Sequence, residues 1–281
     1  MKNDLKFLYD DANYITYRKY GCGNTAIVFL HGFASAKDSW YELANLFDKA
    51  KYTLYLLDLK GFGNASIPRD KQYSMKDNAD IITSFINRII ATEYIIAGNS
   101  FGGGVCLILA TENKLIKQPK AQILIDSAAY DDRLPFFVEI LRNCITNYML
   151  FRFTIPALRA RFVLNRICFK GNITKQMIET YTQLSKGKGK IYSFRQTARQ
   201  IVPSDEDYDK LILKYSAIKL PTLIIWGRND RSLPASQGAR LHNQIKHSRL
   251  EVVGNCGHLP QEEKPELVYE IIKKFLAEKM P

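Results

Sequence analysis

Tyr94-Ile95-Ile96-Ala97-Gly98-Asn99-Ser100-Phe101-Gly102-Gly103-Gly104 is an apolar strand that runs through a glycine-flanked serine directly into the helical stretch Val105 to Ala110. A serine carried on so sharp a strand-to-helix turn is the G-x-S-x-G nucleophile elbow. Its glycines let the helix pack close beside the strand, and its serine sits in strained backbone geometry. The turn also brings the first backbone N–H groups of the helix beside the serine, where they meet developing negative charge. The pattern is short and recurs by chance, so its setting gives it weight.

Apolar runs of strand length recur at Ala26 to Leu30, Thr53 to Leu57, Tyr94 to Ala97, Gln122 to Ile125, Thr222 to Trp226 and Leu250 to Val253. Helix-length segments with apolar residues three and four apart lie between most of them, as at Lys76 to Ile90 and Glu266 to Leu276, the latter preceded by Pro265 at a helix start. This alternation predicts an α/β fold with a mostly parallel sheet of about eight strands and helices on both faces. Leu5 to Tyr20 reads as an antiparallel hairpin at its edge. From about Asp131 to Tyr215 no strand pattern is present, and Phe136, Phe137, Ile140, Leu141, Ile145, Met149 and Leu150 recur at helical spacing. The expected organisation is a core formed by residues 1–130 and 216–281, with residues 131–215 a helical lid over the carboxyl ends of the strands, where open α/β sheets bind ligands.

The 281 residues are 46% apolar, enough for one large core, and carry a net charge of +12. Between Asp131 and Pro203 stand 13 Lys and Arg against 4 Asp and Glu, so most of the excess lies in the lid. Arginines 142, 152, 159, 161 and 166 are interleaved there with Phe151, Phe153, Ile155, Leu158, Phe162, Val163 and Leu164. The expected arrangement turns the apolar side onto a pocket and the arginines to water; the alternative is contact with an anionic membrane surface. No nucleic-acid partner is expected. The start Met1 to Lys6 lacks the apolar centre of a signal peptide and no run is long enough to cross a membrane, which predicts a cytoplasmic protein. Cys22, Cys106, Cys144, Cys168 and Cys256 are scattered without metal-ligand spacing, so reduced packing residues are expected and no metal.

Ester hydrolysis by serine needs a base, a carboxylate to orient it and donors for an oxyanion. Asp230 follows the strand Thr222 to Trp226, and His258 follows Leu250 to Val253, so both loops open on the sheet edge that carries Ser100. Asp126, after the preceding strand, is a rival orienting acid. The N–H of Phe33, after His31-Gly32, pairs with that of Phe101 as the expected oxyanion donors. His31 and Asp58 are read as loop supports, His242 and His247 as solvated surface residues, and Cys256 as a small packing group. Lys186-Gly187-Lys188-Gly189-Lys190 lacks P-loop spacing and reads as a solvated connection.

Together with Asp58-Leu59-Lys60-Gly61-Phe62-Gly63, Trp226-Gly227-Arg228-Asn229-Asp230 and Gly257-His258-Leu259-Pro260, these motifs resemble those of the α/β-hydrolase superfamily from about residue 26 to the end, the insertion excepted. The resemblance implies a serine hydrolase that forms an acyl-enzyme from a small ester with an apolar acyl group and needs no cofactor. Members often carry Ser two residues after the second glycine of D-x-x-G-x-G, where this chain has Ala65 followed by Ser66. The elbow with Asn99 is also similar to that of carbon-carbon bond hydrolases acting on aromatic ring-fission products. Those usually carry a longer glycine-rich loop after His-Gly and a Trp after the catalytic His, where this chain has Phe33-Ala34-Ser35-Ala36 and Leu259. A third reading is a small-ligand receptor, since some relatives of this fold bind hormones.

Overall fold

A computed structural model describes residues 4–112, 114–130, 135–201 and 205–279. Among them, β1 (Leu5–Leu8), β2 (Tyr14–Tyr20), β3 (Thr25–Leu30), β4 (Tyr52–Asp58), β5 (Glu93–Asn99), β6 (Ala121–Ile125), β7 (Thr222–Gly227) and β8 (Ser248–Val253) form one sheet. Its order is β1-β2-β4-β3-β5-β6-β7-β8. The β1–β2 and β2–β4 pairs are antiparallel and the remaining ones parallel. The edge hairpin and all six later strands therefore stand where the sequence places them.

Strand β3 explains the two-sided burial. Its side chains alternate, so Val28 and Leu30 face a core with Phe85 and Val105, while Ile27 and Phe29 face a second core with Trp40 and Phe275. Helices α2 (Met75–Ile89) and α3 (Phe101–Thr111) cover the first face, and α1 (Tyr41–Leu46) and the last helix (Pro265–Lys279) cover the other. Helix α2 opens on a capping box in which Ser74 Oγ accepts the Asp77 N–H at 3.0 Å and the Asp77 carboxylate accepts the Ser74 N–H at 2.9 Å.

Between β6 and β7 the described chain is helical, with α4 (Phe136–Arg142), α5 (Cys144–Phe153), α6 (Pro156–Ile167), α7 (Lys175–Leu184), α8 (Lys190–Gln200) and α9 (Asp205–Tyr215). The expected start of this segment at Asp131 lies outside the described residues. A small third core joins it to the sheet edge, as Leu164 and Ile167 of α6 and Met177 of α7 pack on Leu259. Helices α5 and α6 differ from the expected arrangement. Leu150, Phe151 and Val163 turn inward, but Ile145, Phe153, Ile155 and Leu158 are exposed, so both faces of this pair carry apolar residues. Lys190 also departs from the solvated reading: it is buried and its Nζ donates to the Gly63 carbonyl at 2.6 Å, tying α8 to the loop after β4.

After β7 come α10 (Ala235–Gln244), β8, α11 (Pro260–Glu263) and α12 (Pro265–Lys279). His247 is exposed as expected, whereas His242 is half-buried with Nδ1 2.8 Å from Ser248 Oγ. No described helix is long and apolar enough to cross a membrane.

Candidate active site

Ser100 stands between β5 and α3 with φ of 52° and ψ of −116°, a left-handed backbone that a side chain rarely adopts. Its N–H donates to the Ile125 carbonyl at 2.9 Å, and its own carbonyl accepts the Gly104 and Ala128 N–H groups, so the strained turn is held from both sides. Glycine is required at two neighbours. A Cβ on Gly98 would stand 2.4 Å from the Gly102 carbonyl oxygen, and one on Gly102 would stand 2.2 Å from that of Leu30. The turn therefore closes only because strand, helix and the end of β3 meet without side chains between them.

The loops after β7 and β8 bring Asp230 and His258 together. His258 Nδ1 lies 2.6 Å from Asp230 Oδ2, with both residues buried. Oδ1 of Asp230 accepts the Ser232 N–H at 2.7 Å and the Leu233 N–H at 3.0 Å, which fixes the carboxylate. With Nδ1–H donated to a carboxylate, Nε2 of the same ring is left as the acceptor. His258 and Ser100 line one cavity of about 130 Å³ together with Gly32, Phe33, Phe151 and Phe162.

Asp126, the rival acid, stands behind this pair instead of contacting the ring. Its carboxylate accepts the Gly227 N–H at 3.0 Å and lies within 4.8 Å of that of Asp230. Full burial and the adjacent Asp230 charge both push the Asp126 carboxyl well above the ordinary carboxylate range. Asp126, Asp230 and His258 are close enough to suggest a metal cluster. The 2.6 Å Nδ1–Oδ2 contact is instead a direct hydrogen bond, too short for two ligands around one ion.

Phe101 opens α3, where the first N–H groups have no partner within the helix. A Cβ on Gly32 would lie 3.2 Å from Ser100 Cβ, so the Gly32–Phe33 segment runs alongside the serine and lines the same cavity. His31 holds that segment from beneath. Its Nε2 accepts the Leu59 N–H at 3.0 Å, leaving Nδ1–H to donate to the Gly32 carbonyl at 2.7 Å. Burial lowers the His31 pKa from 6.5 to about 4. The unfolded chain then binds more protons between those values, so this neutral ring contributes stability above pH 6.5 that is lost as pH falls through about 4. The loss expected from this residue is about 3 kcal/mol. Urea unfolding at neutral and mildly acidic pH checks it: His31→Gln, whose amide oxygen still accepts the Leu59 N–H, should show a smaller drop than the parent.

Three supports of His258 escape sequence reasoning. Its N–H donates to the Ile167 carbonyl at 2.8 Å, so the end of α6 holds the histidine loop. Glu263 accepts the Gly257 N–H at 3.0 Å, the Leu259 N–H at 3.2 Å and the Phe169 N–H at 2.8 Å, gathering both segments on one carboxylate. The signal available for it was Pro260 opening a helix with two acids in its first turn. Asn99, read only as part of the elbow, donates from Nδ2 to the carbonyls of Ile125 at 3.1 Å and His258 at 3.2 Å. Cys256 is buried as expected, and burial pushes its thiol pKa upward.

Comparison with known proteins agrees with this architecture. The family model described as alpha/beta hydrolase fold matches residues 25–265. The uncharacterized hydrolase YugF of Bacillus subtilis strain 168 is 26% identical over 282 residues, covering 96% of this chain and 97% of its own. A 2-hydroxy-6-oxononadienedioate/2-hydroxy-6-oxononatrienedioate hydrolase of Escherichia coli O81 strain ED1a is 24% identical over 94% of this chain and 91% of its own. The structure of a thermophilic esterase from Thermogutta terrifontis superposes with a TM-score of 0.79 at 21% identity, covering 100% of both chains. With the family model spanning strands β3 to β8, the elbow and both loops that meet behind it, this chain is a hydrolase belonging to the α/β-hydrolase family.

Proposed function

We propose that the protein is a serine hydrolase cleaving a carboxylic ester through an acyl-enzyme, with Ser100, His258 and Asp230 as its triad. One observation carries this reading: the imidazole is fixed by Asp230 at 2.6 Å in a cavity that Ser100 enters from a strained turn. His258 Nε2 takes the hydroxyl proton as Ser100 Oγ attacks the ester carbonyl. The N–H groups of Phe33 and Phe101 receive the oxyanion. His258 then gives its proton to the leaving alcohol and activates water to release the acid, while Asp230 stabilises the charged ring. Leu150, Phe151, Val163 and Phe194 surround the cavity, which favours an apolar acyl chain, with the helical segment between β6 and β7 as its cover.

A fluorophosphonate probe combined with a p-nitrophenyl ester series of increasing acyl length tests the reading. The parent should be labelled and should turn over esters with an optimum in chain length, and Ser100→Ala should not be labelled. Labelling that survives Ser100→Ala overturns the assignment. Labelling without turnover of any ester favours the small-ligand receptor reading.

Arg159 supports a second reading, carbon-carbon bond hydrolysis of a substrate bearing a carboxylate. Its guanidinium borders the cavity, stacks 4.4 Å from the Phe151 ring centroid and donates to the Thr154 carbonyl, yet its buried Nε has no hydrogen-bond partner among the described residues. A cation so placed would attract an anionic group of the substrate. The similarity to the Escherichia coli hydrolase points the same way. Asn99 discriminates less, because its amide is occupied in holding the His258 backbone. Higher kcat/KM on a vinylogous diketo acid than on any simple ester would rank this chemistry first.

A further inference from the structure

We propose that the outward face of the α5–α6 pair is a docking surface for an anionic phospholipid membrane, on which the protein rests without spanning it. Ile145, Tyr148, Met149, Phe153, Ile155 and Leu158 are all exposed there, and Ile145, Phe153 and Leu158 are each 60% or more accessible. On α5 the residues 145, 148, 149 and 152 follow the spacing of a single helical face, so three apolar side chains and Arg152 share one side. The opposite side is satisfied within the protein, since Asn147 is buried and Phe151 lines the cavity. Such a concentration of large apolar groups marks an interaction site on a soluble surface.

Charge selects the partner. Between Asn143 and Ile178 the chain has no Asp or Glu and carries Arg152, Arg159, Arg161, Arg166, Lys170 and Lys175. Arg152 and Arg161 are exposed, and no carboxylate among the described residues pairs with either. A second copy would bring the same cations and no acid to meet them, so self-association through this face is repelled. Phosphate-bearing headgroups supply the missing charge while their acyl chains receive the apolar side chains. The helices are 10 and 12 residues long, far short of a span, which suits lying in the interface. Phe162 is exposed beside this face and also lines the cavity that Ser100 enters. A lipid-borne substrate therefore has a short apolar route inward; this last step alone rests on the hydrolase mechanism proposed above.

Sedimentation with vesicles tests the surface, using full-length Ser100→Ala so that no lipid is consumed and binding is measured apart from catalysis. Partitioning onto phosphatidylcholine vesicles containing phosphatidylglycerol should exceed that onto phosphatidylcholine alone by at least about tenfold, and should weaken with added salt. Phe153→Ser with Leu158→Ser should release the protein from both compositions, and Arg152→Glu with Arg161→Glu should remove the preference for anionic lipid. Circular dichroism verifies that the variants remain folded. Equal binding to neutral and anionic vesicles, or binding to neither, overturns the proposal. So does a dimer seen by sedimentation equilibrium without vesicles that the Phe153→Ser, Leu158→Ser pair converts to monomer.

Discussion

Ser100→Ala should lower kcat for ester turnover by about a million-fold, and Asp230→Asn by about ten-thousand-fold, while Asp126→Asn should cost no more than about tenfold. The ranking follows from where each group stands. In the proposed mechanism Ser100 supplies the bond-forming oxygen, so its loss would leave only binding and the oxyanion donors. In that mechanism Asp230 acts through His258: it lies 2.6 Å from Nδ1 and would thereby keep Nε2 free to accept the serine proton. An amide at position 230 can present its N–H to Nδ1, which turns the ring over to the wrong tautomer. Asp126 touches the acid and not the base. Burial and the adjacent Asp230 charge both favour its neutral form, so an amide at 126 should change the charge behind His258 little. Circular dichroism separates these roles from mere damage. Both variants should keep the parent's circular dichroism, with the large loss of kcat confined to Asp230→Asn. Equal losses in the two variants would mean that the carboxyl pair acts as one unit and that Asp126 is the orienting acid as much as Asp230.

Much of this site was legible because the chain enforces it locally. Gly98 and Gly102 cannot be other residues where backbone oxygens stand within 2.4 Å of a missing Cβ, and that constraint is written in the five-residue elbow. The positions of the strands along the chain followed from apolar runs, since a strand buried on both faces has no polar side to disguise it. The Ile167 support of His258 was not legible, because its carbonyl arrives from the end of α6, whose approach depends on how the helices pack. The same limit hid the outward face of α5. Periodicity reports that a helix has apolar residues at three and four residue spacing, and says nothing of which way that stripe looks when the opposite side also carries Leu150 and Phe151. Ala65, in the place where a serine was expected, proves harmless to its loop: Ser66 Oγ accepts the Tyr14 N–H at 2.9 Å, and the carboxylate of Asp58 secures the rest.

That carboxylate sets the second large effect. Asp58 is fully buried at the end of β4 and accepts four donors: the Lys37 N–H at 2.8 Å, Lys37 Nζ at 2.6 Å, Thr16 Oγ1 at 2.6 Å and the Asn64 N–H at 2.9 Å. Burial alone would raise its pKa, and the Lys37 charge is the largest of the influences that bring it below the usual value instead. Asp58→Asn keeps the shape but strands the Lys37 ammonium, which is only 1% exposed and would retain just Asp4 as a charged partner at 2.8 Å. Breaking a buried pair from one side costs about 3–5 kcal/mol, which for a domain of this size is a fall in Tm of roughly 10 °C. Removing both charges in Asp58→Asn with Lys37→Met should recover part of that loss, because no unpaired ammonium then remains. Recovery should stay incomplete, since the N–H groups of Lys37 and Asn64 and the Thr16 hydroxyl still compete for a single amide oxygen. Thermal unfolding of the three proteins distinguishes these contributions: a double variant as unstable as Asp58→Asn would place the whole cost in the lost loop hydrogen bonds and none in the stranded lysine.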